Sequence, residues 1–525
     1  MTKSVNKIVI LLVALLMCVT VVFAACNKDE FKPVSKPKSG EVLGNGGIAV
    51  VYGEWLYYVN GYTSSVSADN TYSDSVKTVP RTGSVVRIRL SDIEKLFAIN
   101  DDKDLTSSSA KAEAIASAVR AGDKDRGIKG AETVVPKVYY SGNSTTTQFT
   151  GIHIFNNRIY VTTPSDELTA NGDPMTEQLQ LMSFDLGGGD RKVHYTFTNN
   201  SAQIWLTEVN KKVVATYLMD NVLHTLDVAS GKDTVVTLDY SSKLKHINNT
   251  VSGVNWDVTG SDNDAVFFVD EFGSICKLQA GSKKYVVLLE NDTYKLHNHD
   301  GNKEIEAGDT AKVYTVKFVN NGTVYYTLKN GKNDPAANTI LYQVSSETDS
   351  GKVALPTSSL SLNVWKDNKF VTTDSYKSGE KTFYTICIVD GTTYDKTPLL
   401  EYGENDSTIT INKIEGDNLY YTANSISYVL NLEEVEKTVT EQGKPLDRGT
   451  ALAKNLASSN GWAAPDYIDF TLKVDDVDTD FHYVISLSSG TVTLTKFNPE
   501  DLKANAVSIA LTLTEKPTKK TTNTH

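Results

Sequence analysis

Cysteine is scarce in this 525-residue chain: Cys18, Cys26, Cys276 and Cys387 are the four present. They are too few and too scattered for a disulfide scaffold or a zinc site. Proline is sparse as well, 13 residues against 34 glycines, which excludes a collagen-like or Pro-rich low-complexity chain. Positive charge is in deficit: 52 Lys and Arg face 64 Asp and Glu, a formal net charge of −12. A phosphate backbone demands a basic face, and none is visible, so the composition argues against nucleic acid and against electrostatic docking on anionic lipid. Apolar runs long enough to cross a bilayer are missing beyond the first 25 residues, so the chain is not a multi-span membrane protein.

Catalytic signatures are missing too. There is no Gly-x-Ser-x-Gly elbow, no His-Glu-x-x-His, no P-loop, no Gly-x-Gly-x-x-Gly and no Asp-box hairpin. The sequence therefore nominates no catalytic residue, no cofactor and no metal ligand. Carboxylates are plentiful, which leaves a glycosidase-like pair open.

What is present is ordinary globular composition, 40% hydrophobic and 22% charged, with tyrosine heavily used at 26 residues. Aromatic and β-branched residues fit a pleated surface, so the chain leans to β-structure.

The N-terminal 25 residues read as a secretory signal. Lys3 and Lys7 precede an apolar run from Ile8 to Val22, and Phe23-Ala24-Ala25-Cys26 follows. The cysteine directly after small residues resembles a bacterial lipoprotein signal, which implies that Cys26 becomes the lipidated first residue. A plain signal peptide and a single anchor helix are the alternatives. All three place residue 27 onward outside the cytoplasm, on the outer face of the membrane. Residues 26–45, rich in Lys, Pro, Ser and Glu, read as a flexible tether. Residues 513–525 read as a disordered Thr/Lys-rich tail.

Between them, residues 46–512 repeat one unit eight times: a polar turn, an aliphatic or aromatic strand, a turn and an alternating strand. The first strands are Trp55–Val59, Ile159–Val161, Val213–Tyr217, Ala265–Asp270, Val324–Tyr326, Phe370–Thr372, Leu419–Tyr421 and Phe481–Ile485. Markers recur every 45–65 residues, except for 103 between Leu56 and Ile159. Several units have an extra apolar stretch on either side, as in Gly47–Val50 and Tyr285–Leu289, making four strands per unit. Four strands with tight turns need about 40–50 residues, which is propeller-blade length. The expectation is an all-β propeller of eight four-stranded blades, with seven or six as alternatives. Asn60-Gly61, Asn321-Gly322, Asn330-Gly331 and Asp390-Gly391 read as hairpin dipeptides. The long gap holds an insertion in blade one (101–140), with a helix over Ala110–Ala121, Ser109 as its cap and Gly122 as its stop.

The pair Val266–Asp270 and Ser274–Leu278 resembles the YWTD-type and related propellers. Gly44–Val50 with Leu56–Gly61 resembles more narrowly the DUF5050-type domain of Firmicute lipoproteins, itself similar to the propeller of low-density-lipoprotein-receptor-related proteins. That resemblance implies a lipid-anchored, extracytoplasmic propeller of six blades and unknown activity, and it carries no functional residues over.

Three weaker patterns complete the reading. Asp476-Val477-Asp478-Thr479-Asp480 spaces carboxylates as a calcium loop does, but Phe481 and Leu487 stand where the turn glycine and the closing glutamate belong. A solvated acidic loop is the plainer account. His297-x-His299 could place two imidazoles together, yet its neighbours read as a turn. The tandem tyrosines read as blade packing, and Tyr62, Tyr72, Trp462 and Tyr467 as better candidates for stacking a ligand. Cys276 and Cys387 read as buried, inert thiols. The function expected is a lipid-anchored module binding a protein or glycan at the cell envelope. A glycan-active hydrolase or lyase with carboxylates in the funnel, and a structural scaffold, are the alternatives.

Overall fold

The computed structural model describes residues 48–61, 83–135, 151–164, 178–199, 202–238, 247–257, 264–299, 302–320, 322–338, 340–345, 352–356, 362–393, 395–402, 409–423, 426–446, 467–474, 477–488, 491–498 and 506–513. Over 295–299, 302–307, 352–356, 467–474 and 477–480, and at 164, 320, 378, 413, 415, 426, 427 and 488, it describes the backbone alone. The chain divides into two units, Met1–Lys36 and Pro37–His525, and every described residue belongs to the second. Cys26, the signal, the tether, Tyr62, Tyr72, Trp462 and Asp476 lie outside the described residues.

Eight antiparallel meanders follow one another in sequence order and form an eight-bladed β-propeller. Blade I is β1 (Ala49–Tyr52), β2 (Trp55–Val59), β3 (Val85–Arg89) and β4 (Glu132–Val135). Blade II is β5 (His153–Phe155), β6 (Arg158–Pro164), β7 (Leu179–Asp185) and β8 (Lys192–Thr196). Blade III is β9 (Gln203–Val209), β10 (Lys212–Met219), β11 (Val222–Asp227) and β12 (Lys232–Val235). Blade IV is β13 (Val251–Asp257), β14 (Ala265–Asp270), β15 (Ile275–Gln279) and β16 (Tyr285–Leu289). A two-stranded hairpin, β17 (Tyr294–His299) and β18 (Asn302–Ala307), comes next. Blade V is β19 (Lys312–Asn320), β20 (Thr323–Asn330), β21 (Ile340–Val344) and β22 (Lys352–Pro356). Blade VI is β23 (Asn363–Val364), β24 (Lys369–Ser378), β25 (Lys381–Asp390) and β26 (Lys396–Tyr402). Blade VII has three described strands, β27 (Thr410–Glu415), β28 (Asn418–Ala423) and β29 (Ile426–Asn431). Blade VIII is β30 (Tyr467–Val474), β31 (Val477–Ser488), β32 (Thr491–Phe497) and β33 (Val507–Ala510).

The count of eight is the one the repeat gives, not the six that the resemblance implies. The physical reason for a ring is visible in the middle strands. Every residue of Trp55–Val59 and of Ala265–Asp270 is buried on both sides of its sheet. A lone sheet would leave one of those faces wet, at about 1.5–3 kcal/mol for each large side chain, so each blade must be sandwiched between two others.

Every neighbouring pair of blades is joined by described contacts. Tyr57 and Arg87 of blade I donate to Leu186 O of blade II. His194 of blade II meets Val228 O of blade III. Thr225 of blade III donates to Ser282 O of blade IV, and Asn291 of blade IV to Lys312 O of blade V. Phe318 and Tyr325 of blade V pack on Phe370 of blade VI, and Trp365 Nε1 donates across to Asp417 of blade VII. Asn418 reaches His482 of blade VIII, and Tyr58 of blade I donates to Leu511 O at the far end of the chain. Leu513, where the tail was expected to begin, is buried and belongs to this closing contact.

Four turns have both central residues at positive φ: Asn156-Asn157, Asn210-Lys211, Asp220-Asn221 and Asp367-Asn368. That backbone matches the right-handed twist of the flanking strands, and Asn and Asp tolerate it best after glycine. These are the tight hairpin turns, whereas Asn60 is a fully buried side chain rather than a turn residue.

The helices depart most from expectation. The insertion in blade I starts at once after β3, with α1 (Leu90–Asn100), followed by α2 (Ser108–Ala121). Ser107, not Ser109, caps α2, its side chain accepting from Ala110 N–H, and Gly122 ends it at φ 74°. A third helix, α3 (Leu432–Gln442), follows β29 in blade VII. Its buried Leu432, Val435 and Val439 join the core between blades VI and VII. The chain then returns to blade VI, where Leu446 pairs with Leu400. The helix lies against β29 of blade VII and β26 of blade VI, and the bridge adds to the outer edge of blade VI.

Candidate ligand-binding surface

The tandem tyrosines are core. Tyr57, Tyr58, Tyr325, Tyr326, Tyr420 and Tyr421 are all buried, as expected of blade packing. Cys276 and Cys387 are free and buried, in blades IV and VI. Tyr467 lies in β30, where only the backbone is described. Two of the weaker patterns change character. His297 and His299 are in strand β17, not a turn. Asp478 and Asp480 are in strand β31, with Lys473 opposite Asp478, so these two carboxylates stand on a strand and not in the loop that was expected. Among the described residues, no three His, Cys, Asp or Glu side chains gather in a way that could hold a metal ion.

One arrangement has the outline of a nucleophile and its base. Ser183 Oγ lies 2.7 Å from His194 Nε2, and His194 Nδ1 lies 3.1 Å from Val228 O. A carbonyl only accepts, so Nδ1 carries the proton and Nε2 accepts from the Ser183 hydroxyl. Ser183 is fully buried, however, and its oxygen also accepts from Arg158 Nε and Nη2 at 3.0 and 2.9 Å. With no open lone pair and no solvent access, the group is a strut between blades II and III. Burial, with the Arg158 and Lys192 charges, lowers the His194 pKa against the opposing pull of its hydrogen bond to Val228. On the inner strands, Asp257 is similarly committed, accepting Gly322 N–H at 2.8 Å. Trp205 and Trp256, from the inner strands of blades III and IV, lie flat on one another at 5.0 Å and 12°.

The surface that is left over comes from blade VI. Strands β24 and β25 are ten residues each and pair over their whole length, from Lys369 opposite Asp390 to Ser378 opposite Lys381. Their neighbours are shorter: β23 pairs only with Phe370 and Val371, and β26 only with Tyr384 to Val389. The end of the ribbon therefore runs past both described neighbours. An unbroken register puts Phe370, Asp374 and Tyr376 of β24 on one face, with Phe383 and Val389 of β25. Phe370 and Val389 pack on Tyr325 and Leu341, so this face is turned towards blade V.

At the ribbon's end Tyr376 stacks on its cross-strand partner Phe383, centroids 5.3 Å apart and planes 14° from parallel. The Tyr376 hydroxyl donates to Glu401 Oε2 at 2.6 Å, and Lys396 Nζ donates to Asp374 Oδ2 at 2.7 Å. The Glu401 hydrogen bond, then desolvation, then the carboxylate's charge raise the Tyr376 phenol above its ordinary value. Burial pushes the Asp374 carboxyl up, but the bonds from Lys396 and Ser375 N–H and the ammonium charge outweigh it, leaving it below the usual range. Among the described residues, two aromatic side chains are more than a third exposed: Tyr376 at 44% and Phe481 at 38%. Phe481 is already engaged, with Lys496 Nζ 4.3 Å from its centroid. Tyr376 and Phe383 were not among the aromatics that the sequence singled out. Their pairing follows from a register, and the signal that could have found them is the two-residue turn Gly379-Glu380.

No protein-family model matches the chain, and no curated protein does. Among solved structures it is similar to a prolyl endopeptidase, at 12% identity and TM-score 0.35, over 70% of this chain and half of that one. It is also similar to oligogalacturonate lyase from Vibrio parahaemolyticus, at 10% identity and TM-score 0.34, over 66% of this chain and 93% of that one. TolB from Acinetobacter baumannii is similar at 13% identity and TM-score 0.24, over 55% of this chain and 64% of that one. The chain spans half the length of the endopeptidase. Likeness at this level bears on neither activity nor ligand.

Proposed function

We propose that this protein is a lipid-anchored binding module, held by Cys26 on the outer face of a bacterial cell membrane and presenting its propeller to the envelope. The anchor rests on the run Lys3 to Cys26. The observation that carries the binding role is the Tyr376–Phe383 pair. Tyr376 is exposed with Phe383 half-buried against it, its hydroxyl is held by Glu401, and neither side chain is part of the contacts that join blade VIII to blade I. A rigid ring displaying a fixed aromatic surface suits recognition without chemistry.

The test is made on cells expressing the full chain and its Cys26→Ala variant. The wild type is expected to take up labelled palmitate, to stay with membranes and to be cut by protease added to intact cells. The variant is expected to lose the label and appear in the soluble fraction. A wild-type chain that is unlabelled and protected from protease overturns the reading.

A further inference from the structure

We infer that the β17–β18 hairpin is a binding site for a divalent transition-metal ion of the zinc, nickel and copper class, from the juxtaposition of His297, His299 and Glu304 on one face of its two strands. The turn expected around His297-x-His299 is a strand instead, and on a strand two alternate residues share a face. No metal cluster exists among the described side chains. This one belongs to strands described by their backbone, and the case is one of register.

The register completes the donor set. His297 is opposite Glu304, with Lys295 opposite Glu306 to one side of that pair and His299 opposite Asn302 to the other. Those six residues make up one face, and Tyr294, Leu296 and Ile305 belong to the other. Alternate positions on a strand are about 6.6 Å apart, and cross-strand partners about 5 Å. Such spacings suit an ion bound at about 2.0–2.2 Å by each donor. The charges of Lys295 and Glu306 offset one another, which leaves Glu304 and two imidazoles on this face. A mixed nitrogen and oxygen set suits zinc, nickel or copper, whereas calcium and magnesium take oxygen.

The setting of the hairpin points the same way. It is a sheet of its own, outside the eight blades, and two strands without a third are marginal in water. Its root is tied down. Lys312 N–H of blade V donates to Thr293 Oγ1 at 2.9 Å, and Asn291 Nδ2 donates to Lys312 O at 2.8 Å. Tyr294 stands against blade IV, where a Cβ added at Gly273 would come within 3.0 Å of its ring. The face set against blade IV is therefore that of Tyr294, not that of the histidines. An ion bridging β17 and β18 would staple the strands beyond this root, and its binding energy would be folding energy for the hairpin.

The experiment is titration of zinc chloride into the full-length chain, purified in detergent and stripped of metal with EDTA. It is read by calorimetry and by amide hydrogen exchange. One saturable site is expected, with a Kd of about 10 µM or below, and calcium chloride should bind at least about a hundredfold more weakly. His297→Ala, His299→Ala and Glu304→Gln should each weaken zinc by about tenfold or more. His246→Gln and His525→Gln, outside the hairpin, should leave it unchanged. In the unaltered chain zinc should slow exchange over 294–307 and leave the blades as they were.

Absence of saturable heat with zinc up to about 1 mM overturns the inference. So do calcium bound as tightly as zinc, unchanged affinity in His299→Ala, and protection that falls outside 294–307. The exchange measurement needs no variant, so a substitution that fails to fold leaves the decision to the wild type. None of these outcomes bears on Cys26, whose lipid anchor stands or falls by the palmitate experiment.

Discussion

Asn60 and Leu513, 453 residues apart, are hydrogen-bonded to each other in both directions. Asn60 Nδ2 donates to Leu513 O at 3.1 Å, and Leu513 N–H donates to Asn60 Oδ1 at 2.7 Å. A carboxamide has the donor and acceptor of a peptide group, so here one side chain does what a neighbouring strand would do. The relationship matters because, among the described residues, blades I and VIII exchange no strand.

Removing that side chain should open the ring at this junction. Asn60→Ala leaves both backbone groups of Leu513 buried without this partner, a cost of about 2–4 kcal/mol. Asn60→Asp keeps the acceptor for Leu513 N–H and should lose less. Hydrogen exchange at residues 511–513 is the readout, with faster exchange there than in blades III and IV. Equal protection in wild type and Asn60→Ala would contradict the role.

Lys496 should hold the same junction from the outside of blade VIII. Its ammonium is paired with Glu94 of α1 at 2.7 Å and lies 5.8 Å from the centroid of Phe97. A double-mutant cycle of Lys496→Met and Glu94→Gln is expected to show coupling of about 1 kcal/mol. Additive losses would mean that the two groups act independently.

His194 should make the protein sensitive to acid. Its folded pKa is lowered, chiefly by burial, so the unfolded chain takes up the proton first as pH falls. Its contribution is then fully present above the ordinary histidine value of about 6.5. It is lost as pH drops from there through the lowered folded value. Protonation of Nε2 would also cost the bond accepted from Ser183. The urea midpoint should decline between about pH 7 and 5 in the wild type, and the decline should be shallower in His194→Gln. An identical slope would remove His194 as its source.

Cys276 and Cys387 should ignore thiol reagents until the chain unfolds. Burial raises both thiols, with the Asp270 charge adding at Cys276, so thiolate is scarce and access is blocked. Ellman's reagent should label neither in buffer and both in urea. Rapid labelling of the native protein at either position would show local opening of its blade.

The blades were legible because their second and third strands are covered on both faces and flanked on both edges. That environment demands unbroken apolar runs such as Ala265–Asp270. Outer strands were harder: Lys232–Val235 is largely exposed and carries no such run. Helix α1 gave no start signal, since Arg89 precedes it without a side-chain cap. Helix α3 did give one, with Asn431 accepting from Glu434 N–H and Gly443 in the left-handed region. The repeat's demand for a fourth strand overrode it. The stacked pair of blade VI was missed, because a connection was expected where β24 and β25 run on to the turn at Gly379-Glu380.

The closing contact also brings the two ends of the folded body together around a single dipeptide. Ile48 O accepts from Val59 N–H at 3.0 Å, and the next residue, Asn60, holds Leu513. A short linker could therefore join 513 to 48, and the chain could be cut anew between any two blades, as circular permutants are. Because the described sheet of each blade is built from consecutive strands, such a molecule would keep all eight of them. Which blade comes first in the ring is thus set by gene order alone. A permutant would begin the same circuit at another blade.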